Sequence, residues 1–353
     1  SMVTEDILIS IKNVALFKFT FSKNLSNHFV MYFLDYAQED MKNKPSGGLQ
    51  PFVSLNFLRT YLVPVPPVEE QQRIVSILAD SINKIRNIDV LKNELTASVK
   101  KAKSKILDLA IRGKLVPQDP NDEPASVLLE RIRVEKEELI KQGKIKRDKK
   151  ESIIFRGDDN SYYEKIGDDI ENIDTEIPFN LPDNWIWCRG CSCFSGMETT
   201  KPQGEFFDYI DIDSIDNRLH CIKKTKRIPV IEAPSRASRA INSGSVLFSL
   251  VRPYLENIAL IEEIHSHSIA STGFYVCNSN GLLLPDYMFY LMISKYVVDG
   301  LNQYMKGDNS PSISRNDIEN WLYPIPPIDE QRRICYILKT TFATIEKLEE
   351  SLI

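Results

Sequence analysis

Apolar residues recur with heptad spacing along the segment from Val68 to Arg112. The positions that define the predicted seam are Ile74, Leu78, Ile85, Ile88, Leu95, Val99 and Ile106. A sustained heptad pattern is typical of a helix that packs along one narrow face against another helix, and a helix lying across a domain is the alternative. A helix of this length would span roughly 65 Å at about 1.5 Å per residue. Gly113 suits its C-terminal end.

The start of this helix is written twice in the chain. "LVPVPPVEEQQRIVSIL" begins at Leu62, and "LYPIPPIDEQRRICYIL" begins at Leu322. Pro67 and Pro327 suit a first helical turn, where a missing N–H costs nothing. The second helix continues the heptad register with Ile334, Leu338, Ile345 and Leu348. We therefore predict that the two helices are partners.

The duplication reaches upstream of the repeated phrase. "HFVMYFL" (28–34) matches "DYMFYLM" (286–292), and "QPFVSLNFLRTY" (50–61) matches "SPSISRNDIENW" (310–321). The first copy has nothing that corresponds to about 181–243, so we expect it to be incomplete, as a truncated product or a fragment would be.

The segment from Leu181 to Tyr323 predicts a compact α+β domain. Its short β-rich runs are separated by Asp, Asn, Ser and Gly, and they read "NWIWC", "FDYIDID", "SVLFSL", "NIALI" and "GFYVC". "PDYMFYLMISKYVVDGL" predicts one buried helix. Before this domain, Pro124 opens a predicted helix that runs to about Gln142 and is followed by a basic run.

The amino-acid composition excludes few classes of protein. The chain of 353 residues is 42% hydrophobic and 26% charged, with a net charge of −5, which is ordinary for a globular protein of about two domains. We expect no membrane span, no secretion signal, six reduced cysteines and a cytoplasmic location. The acidic balance leaves room for a local basic groove.

Two clusters carry candidate metal chemistry. Asp211, Asp213 and Asp216 could hold a metal ion for a nuclease, although Asp is common at strand ends and neither a calcium-loop nor a nuclease spacing follows. Cys188, Cys191 and Cys193 offer half of a zinc site without a second half. Phosphate-loop, dinucleotide and nucleophile-elbow motifs do not occur in the sequence. We therefore predict no catalytic residues and no metal site.

Basic and amide side chains concentrate in the strand-rich domain. Such side chains can contact base edges and phosphates of duplex DNA, although each cluster alone is more typical of a solvated loop. The candidate DNA-binding residues are Arg227, Arg236, Arg239, Arg252, Asn302, Gln303, Lys306 and Arg315.

Several phrases together resemble a known family. The repeated PxPPxxEQxRI phrase, "IRGKLVPQDPNDEPASVLLERIRVEKEELIKQGKIK" from Ile111, "LPDNWIWCRG" and "SPSISRNDIENWLYPIPP" are similar to the specificity subunit of type I restriction-modification systems. This resemblance implies an α+β architecture in which strand-rich target recognition domains are joined by long conserved helices packed as an antiparallel coiled coil.

The resemblance also assigns a domain to each part of the chain. These are a partial first recognition domain (1–66), a first spacer helix (67–113), a linker with a short helix (114–150), a second recognition domain (151–323) and a short second spacer helix (324–353). Each recognition domain would read one half of a bipartite site in double-stranded DNA, and the helices would fix the spacing.

The implied subunit is not an enzyme. It would hold no cofactor itself and would dock methyltransferase subunits that use S-adenosylmethionine, and restriction subunits that use ATP and Mg²⁺. Three alternatives remain open: a truncated or half-specificity variant that associates with itself as a homodimer through the helices, a structural coiled-coil adaptor, and a metal-dependent nuclease.

Overall fold

The computed structural model describes residues 23–42, 55–144 and 151–350. They form two compact units, 1–96 and 97–353, and one long helix contributes to both. Parts of the predicted first recognition domain (1–22 and 43–54) and of the basic run (145–150) lie outside the described residues. Within the described part of the chain, no helix is long and apolar enough to cross a bilayer.

The described residues of the first unit are mainly helical. It contains α1 (Asn27–Tyr36), α2 (Gln38–Lys42), α3 (Leu55–Thr60) and the start of α4 (Val68–Ile111). The side chain of Ser26 accepts a hydrogen bond from the backbone N–H of Phe29 and so caps α1. The bounds of α4 agree with the helix predicted from the heptads.

The second unit begins with the end of α4. It continues with α5 (Ala125–Lys141) and ends with α10 (Ile328–Glu350). Gln118, just past the end of α4, donates to Glu330 at the start of α10 (2.6 Å), whereas Lys103, earlier in α4, pairs with Glu349 near the end of α10 (2.7 Å). In this unit the two helices therefore run antiparallel.

In the sequence, the strand-rich domain lies between α5 and α10. Its strands are β4 (Ile186–Arg189), β5 (Phe206–Ile210), β6 (Ile215–Asp216), β7 (Cys221–Ile222), β8 (Lys226–Pro229), β9 (Ala237–Ala240), β10 (Val246–Ser249), β11 (Ile258–Leu260), β12 (Ile269–Ser271), β13 (Phe274–Cys277) and β14 (Leu322–Ile325). They form a four-stranded sheet in the order β8-β5-β12-β9, a three-stranded sheet β11-β10-β13, and the pairs β6-β7 and β4-β14. Because β4 pairs with β14, the two ends of the domain lie side by side. The predicted mixed helix-and-strand class is confirmed.

Four short helices complete the domain: α6 (Gly190–Cys193), α7 (Pro285–Met292), α8 (Lys295–Asn302) and α9 (Arg315–Asn320). The prediction of one continuous helix over α7 and α8 is wrong. Ser294 separates them, because its hydroxyl donates to the carbonyl of Leu291 and accepts from the N–H of Val297, which starts a new helix.

A small antiparallel sheet precedes the domain and was not predicted. It consists of β1 (Ser152–Arg156), β2 (Tyr162–Ile166) and β3 (Asp169–Asn172). The "GDDN" and "GDD" turns between these runs are the sequence signal that could have revealed it.

One buried glutamine fastens the start of α10. The side chain of Gln331 donates to the carbonyls of Leu282 (2.9 Å) and Pro326 (3.0 Å) and accepts from the N–H of Leu284 (2.8 Å). These contacts bind the segment in front of α7 to α10.

Gln71 makes the same set of contacts in the first unit. Its side chain donates to the carbonyls of Asn24 (2.9 Å) and Pro66 (2.8 Å) and accepts from the N–H of Ser26 (2.8 Å). The repeat seen in the sequence is thus a repeat of structure, in which α1 corresponds to α7 and the start of α4 to the start of α10. Both glutamines are fully buried.

Candidate nucleic-acid interface

Three segments of the strand-rich domain lie next to one another at the C-terminal end of β10. The carbonyl of Arg236 accepts from the N–H of Thr272 (2.8 Å), and the neighbouring carbonyl of Gly273 accepts from the N–H of Leu250 (2.8 Å). The carbonyl of Leu250 accepts in turn from the N–H of Ile313 (2.9 Å). These backbone bonds connect 236–237, 250–252 and 306–313, which are far apart in sequence.

Arg252, on the segment 250–252, has an unusual backbone conformation. Its φ of 49° and ψ of 56° lie in the left-handed region, which non-glycine residues seldom occupy. Its N–H donates to the carbonyl of Pro311 (2.7 Å), and its guanidinium donates to the carbonyl of Asn309 (3.1 Å). The side chain of Arg252 is exposed. Because the carbonyl of Asn309 is neutral, this hydrogen bond does not compensate the positive charge of Arg252.

Lys306 stands on the adjoining loop. The backbones of Lys306 and Ser312 exchange two hydrogen bonds of 2.9 Å, and Ser312 also bridges to Val251. The structure therefore brings together Arg236, Arg252 and Lys306, all with exposed side chains, on adjoining pieces of backbone.

The other candidate residues are spread over the domain. Arg227 lies on the edge strand β8 and stacks over the ring of Phe206 (5.6 Å), whereas Arg239 lies on the opposite edge strand β9. Asn302 and Gln303 are at the end of α8. Arg315 starts α9 and pairs with Glu319 (2.6 Å). These residues keep the status of predictions.

Two of the candidate residues have buried polar atoms without a partner. The Nε of Arg239 and the Oδ1 of Asn302 find no hydrogen bond among the described residues. Buried polar atoms are normally satisfied, so either group would gain from a polar ligand.

The aspartate cluster is occupied by structural contacts. The ammonium of Lys226 lies 2.6 Å from Asp213 and 3.6 Å from Asp211. Asp211 also begins a short 3-10 helix through a capping box with Ser214. Asp216 accepts from the N–H groups of Arg218 and Leu219, and these bonds lower the pKa of its carboxyl.

The cysteine cluster lies at the junction of β4 and α6. Cys188 and Cys193 are buried, and the thiol of Cys193 donates to the carbonyl of Arg189 (3.2 Å). Burial, followed by the neighbouring Cys188, raises the pKa of Cys193 well above its usual value. No group of three or more potential ligands that could hold a metal ion occurs among the residues the structure describes.

The predicted helix seam divides into covered and uncovered positions. Ile334 and Leu338 are fully buried, and Ile106 packs against the same core cluster. Ile85, Ile88, Leu95 and Leu348 are exposed, and Ile74, Leu78, Val99 and Ile345 are partly or largely accessible. The seam beyond the core cluster remains a prediction.

Comparison with known proteins shows what this chain is similar to. A model of the type I restriction modification DNA specificity domain matches residues 9–97. The specificity subunit of the type I restriction enzyme EcoAI from Escherichia coli is 32% identical over 271 residues, which is 72% of this chain and 41% of that protein. The chain is thus similar to type I specificity subunits. The EcoEI specificity subunit, also from Escherichia coli, is 30% identical over 71% of this chain and 40% of its own length.

The chain spans about 40% of the length of these two relatives. Among solved structures, the HsdS subunit from Thermoanaerobacter tengcongensis is 35% identical with a TM-score of 0.46, covering 49% of this chain and 46% of that one. The S subunit from M. genitalium is 14% identical with a TM-score of 0.38, covering 93% of this chain and 70% of that one.

Proposed function

We propose that this chain binds double-stranded DNA sequence-specifically, as the specificity component of a type I restriction-modification complex. The similarity to type I specificity subunits supports this function. One observation assigns this function to particular residues: Arg236, Arg252 and Lys306 lie on segments that are joined by backbone hydrogen bonds. We call these three residues the array. Three exposed cations on a fixed frame suit a polyanionic duplex, even in a chain with a net charge of −5.

The residues of the array have different roles in this proposal. A guanidinium can bind the O6 and N7 of a guanine with two parallel hydrogen bonds, whereas an ammonium suits a single phosphate. We assign Arg252 and Arg236 to base or phosphate contacts and Lys306 to a phosphate contact. The conformation of Arg252 presents its side chain before DNA arrives, which lowers the entropic cost of binding.

The chain itself performs no chemistry in this proposal. The acids Asp211 and Asp213 are engaged by Lys226, and Asp216 by backbone N–H groups. Methylation and cleavage are assigned to partner subunits that bring S-adenosylmethionine, ATP and Mg²⁺. The domain at 151–323 reads one half of a bipartite site, and the antiparallel helices α4 and α10 set the distance to the other half and dock the methyltransferase subunits.

DNA binding by array variants tests this function. Sites enriched by the chain from random duplexes would first be identified, and binding to them would then be followed by fluorescence anisotropy across salt concentrations. The variants Arg236→Ala, Arg252→Ala and Lys306→Ala should each weaken binding about tenfold, and Lys306→Ala should also reduce the salt slope by about one.

Arg332→Ala is the matched control, because Arg332 is an exposed arginine on α10 and pairs with Asp329. Its affinity should equal that of the unmodified chain. Equal affinity of the unmodified chain for all duplexes would overturn the proposal in favour of a structural adaptor. Affinity as high in the three array variants as in the unmodified chain would overturn the assignment of DNA binding to the array.

A further inference from the structure

Three residues with left-handed backbone conformations meet at one turn of the strand-rich domain. Arg252 (φ 49°) and Glu256 (φ 56°) enclose the short 3-10 turn Pro253–Leu255. His220 (φ 52°) lies beside them, with 3.9 Å between its Nε2 and the Oε2 of Glu256. Non-glycine residues seldom adopt this conformation, and where the surrounding structure enforces it, the strain is often found at ligand-binding sites. We call residues 252–256 the strained turn.

Hydrogen bonds to two other segments hold the strained turn in place. The N–H of Arg252 donates to the carbonyl of Pro311 (2.7 Å), and the side-chain amide of Asn217 donates to the carbonyl of Leu255 (2.8 Å). Inside the turn, the N–H of Leu255 donates to the carbonyl of Arg252 (2.9 Å). Pro253 is buried and anchors the turn in the domain. The backbone of the turn is therefore fixed before any ligand arrives.

The tip of the strained turn carries two large side chains that the domain leaves uncovered. Tyr254 is 44% exposed and Leu255 is 40% exposed, and neither belongs to a core cluster. In the part of the chain that the structure describes, the side chain of Tyr254 has neither a hydrogen bond nor an aromatic partner. Strain that served packing would bury such side chains. Here the strain coincides with their presentation to the outside.

The exposed tip lies beside cations of the array. Arg252 begins the strained turn, and the segment 306–313, which accepts its backbone hydrogen bond, carries Lys306. Glu256, the one acid of the turn, is next to His220. Apolar side chains inserted between base pairs, together with cations on the neighbouring phosphates, are a means by which proteins unstack and kink a duplex. The strained turn combines these two features on one rigid piece of backbone.

We propose that the strained turn is a wedge that enters the bound duplex and unstacks one base-pair step, with Leu255 and the ring of Tyr254 against the separated bases. This inference rests on the proposed function and names a way in which the site reads its target. Unstacking costs least at pyrimidine–purine steps, so the wedge selects a flexible step without a hydrogen bond to a base edge. Because the turn is already rigid, little of the protein has to be ordered on insertion.

Duplexes that carry 2-aminopurine at single positions test this inference, because the fluorescence of this base rises when its neighbours unstack. The site would be one that the full 353-residue chain has enriched from random duplexes. With the unmodified chain we expect a rise at one step of the site. Tyr254→Ala and Leu255→Ala should each lose most of this rise and weaken binding about tenfold. Tyr254→Phe keeps the ring and should behave like the unmodified chain.

Two exposed residues provide matched controls. Ile264 is 79% exposed on another 3-10 turn, Glu263–His265, whose flanking residues have ordinary φ values of −82° and −60°. Tyr336 is 68% exposed on α10. Ile264→Ala and Tyr336→Ala should keep both the affinity and the 2-aminopurine signal. Urea unfolding of every variant should closely match that of the unmodified chain, since all these side chains are exposed, and this separates a lost wedge from a damaged fold.

Three results would overturn the wedge and leave DNA recognition standing. The first is no rise of 2-aminopurine fluorescence at any step of a duplex that the chain binds specifically. The second is an unchanged rise in both Tyr254→Ala and Leu255→Ala. The third is an equal loss in Tyr254→Phe and Tyr254→Ala, which would assign the contact to the hydroxyl. Equal affinity of the unmodified chain for all duplexes is a different outcome, because it overturns the proposed function and the wedge with it.

Discussion

Arg189 holds Glu164 by three charge-assisted hydrogen bonds, two from Nε (3.0 and 3.3 Å) and one from Nη2 (2.7 Å), and so fastens the small sheet β1-β2-β3 to β4. Nη2 also reaches Glu176 (2.9 Å), and Nη1 donates to the carbonyl of Asn320 (2.8 Å). Burial alone would raise the pKa of Glu164, but the bonds from Arg189 and Ser152 bring it below its usual value. One guanidinium thereby joins three parts of the second unit.

Removal of this guanidinium should cost much of the stability of the unit. Arg189→Ala leaves the buried Glu164 uncompensated, and we expect the free energy of unfolding to fall by about 3 kcal/mol or more. Arg189→Lys should recover part of the loss. Urea unfolding followed by tryptophan fluorescence measures both. Arg131→Ala, which breaks the exposed pair with Glu123, should cost less than about 1 kcal/mol, and an equal effect of the two alanine variants would contradict this account.

The two buried glutamines should each protect one backbone amide. Gln331→Ala removes the hydrogen bonds to the N–H of Leu284 and to two carbonyls, and Gln71→Ala removes the corresponding bonds around Ser26. Each substitution should lower stability by about 2 kcal/mol or more. Amide hydrogen exchange should accelerate at Leu284 in the first variant and at Ser26 in the second. The exposed Gln303→Ala serves as control, and unchanged exchange at Leu284 would refute the role given to Gln331.

Glu330 gives stability a pH dependence of known sign. Burial raises the pKa of its carboxyl above the usual 4.5, although Trp185, Gln118 and Arg333 act in the opposite direction. A group whose pKa is higher in the folded state contributes stability below its unfolded pKa and loses it as the pH rises through the folded pKa.

Glu330→Gln should therefore gain stability relative to the unmodified chain as the pH rises from about 4 to about 8. Urea unfolding at several pH values measures the difference. Glu70→Gln, at the exposed counterpart, should show no such trend. A difference for Glu330→Gln that is constant across this range would contradict the assignment.

A substitution at Arg252 can separate an effect on DNA binding from an effect on the stability of the fold. Glycine adopts the left-handed conformation without strain, so Arg252→Gly should keep the free energy of unfolding within about 1 kcal/mol while DNA affinity falls about tenfold. Glu256, with a φ of 56°, provides the matched control. Glu256→Gly relieves the same kind of strain and should keep its DNA affinity. If both variants bind equally well, Arg252 does not contact DNA.

Much of the fold was predictable because it rests on local periodicity. The heptads gave α4 its bounds, and the β-rich runs correspond to β4, β5, β10, β11 and β13. The array of Arg236, Arg252 and Lys306 was not predictable as a unit, because backbone bonds between distant segments create it. The engagement of Asp211 by Lys226 likewise depends on the register of β5 and β8, which no spacing reveals.

The polar contacts at the start of α10 were missed although the sequence carried a signal for them. A Glu-Gln pair, Glu70-Gln71 or Glu330-Gln331, follows each Pro-Pro in the sequence. In the structure Glu330 and Gln331 are both fully buried and bind groups on other segments. A polar pair repeated within an otherwise apolar pattern was the indication that these residues have buried partners.

The side chains of Gln71 and Gln331 form these hydrogen bonds only with backbone atoms of their partner residues. A joint of this kind does not depend on which side chains the attached segment carries. The surface of the strand-rich domain can therefore be exchanged for another, by mutation or by design, while the domain stays mounted on the same helix. The duplicated glutamine can make the same attachment to the backbone of whichever domain precedes it. Chimeras joined just before this glutamine should therefore fold.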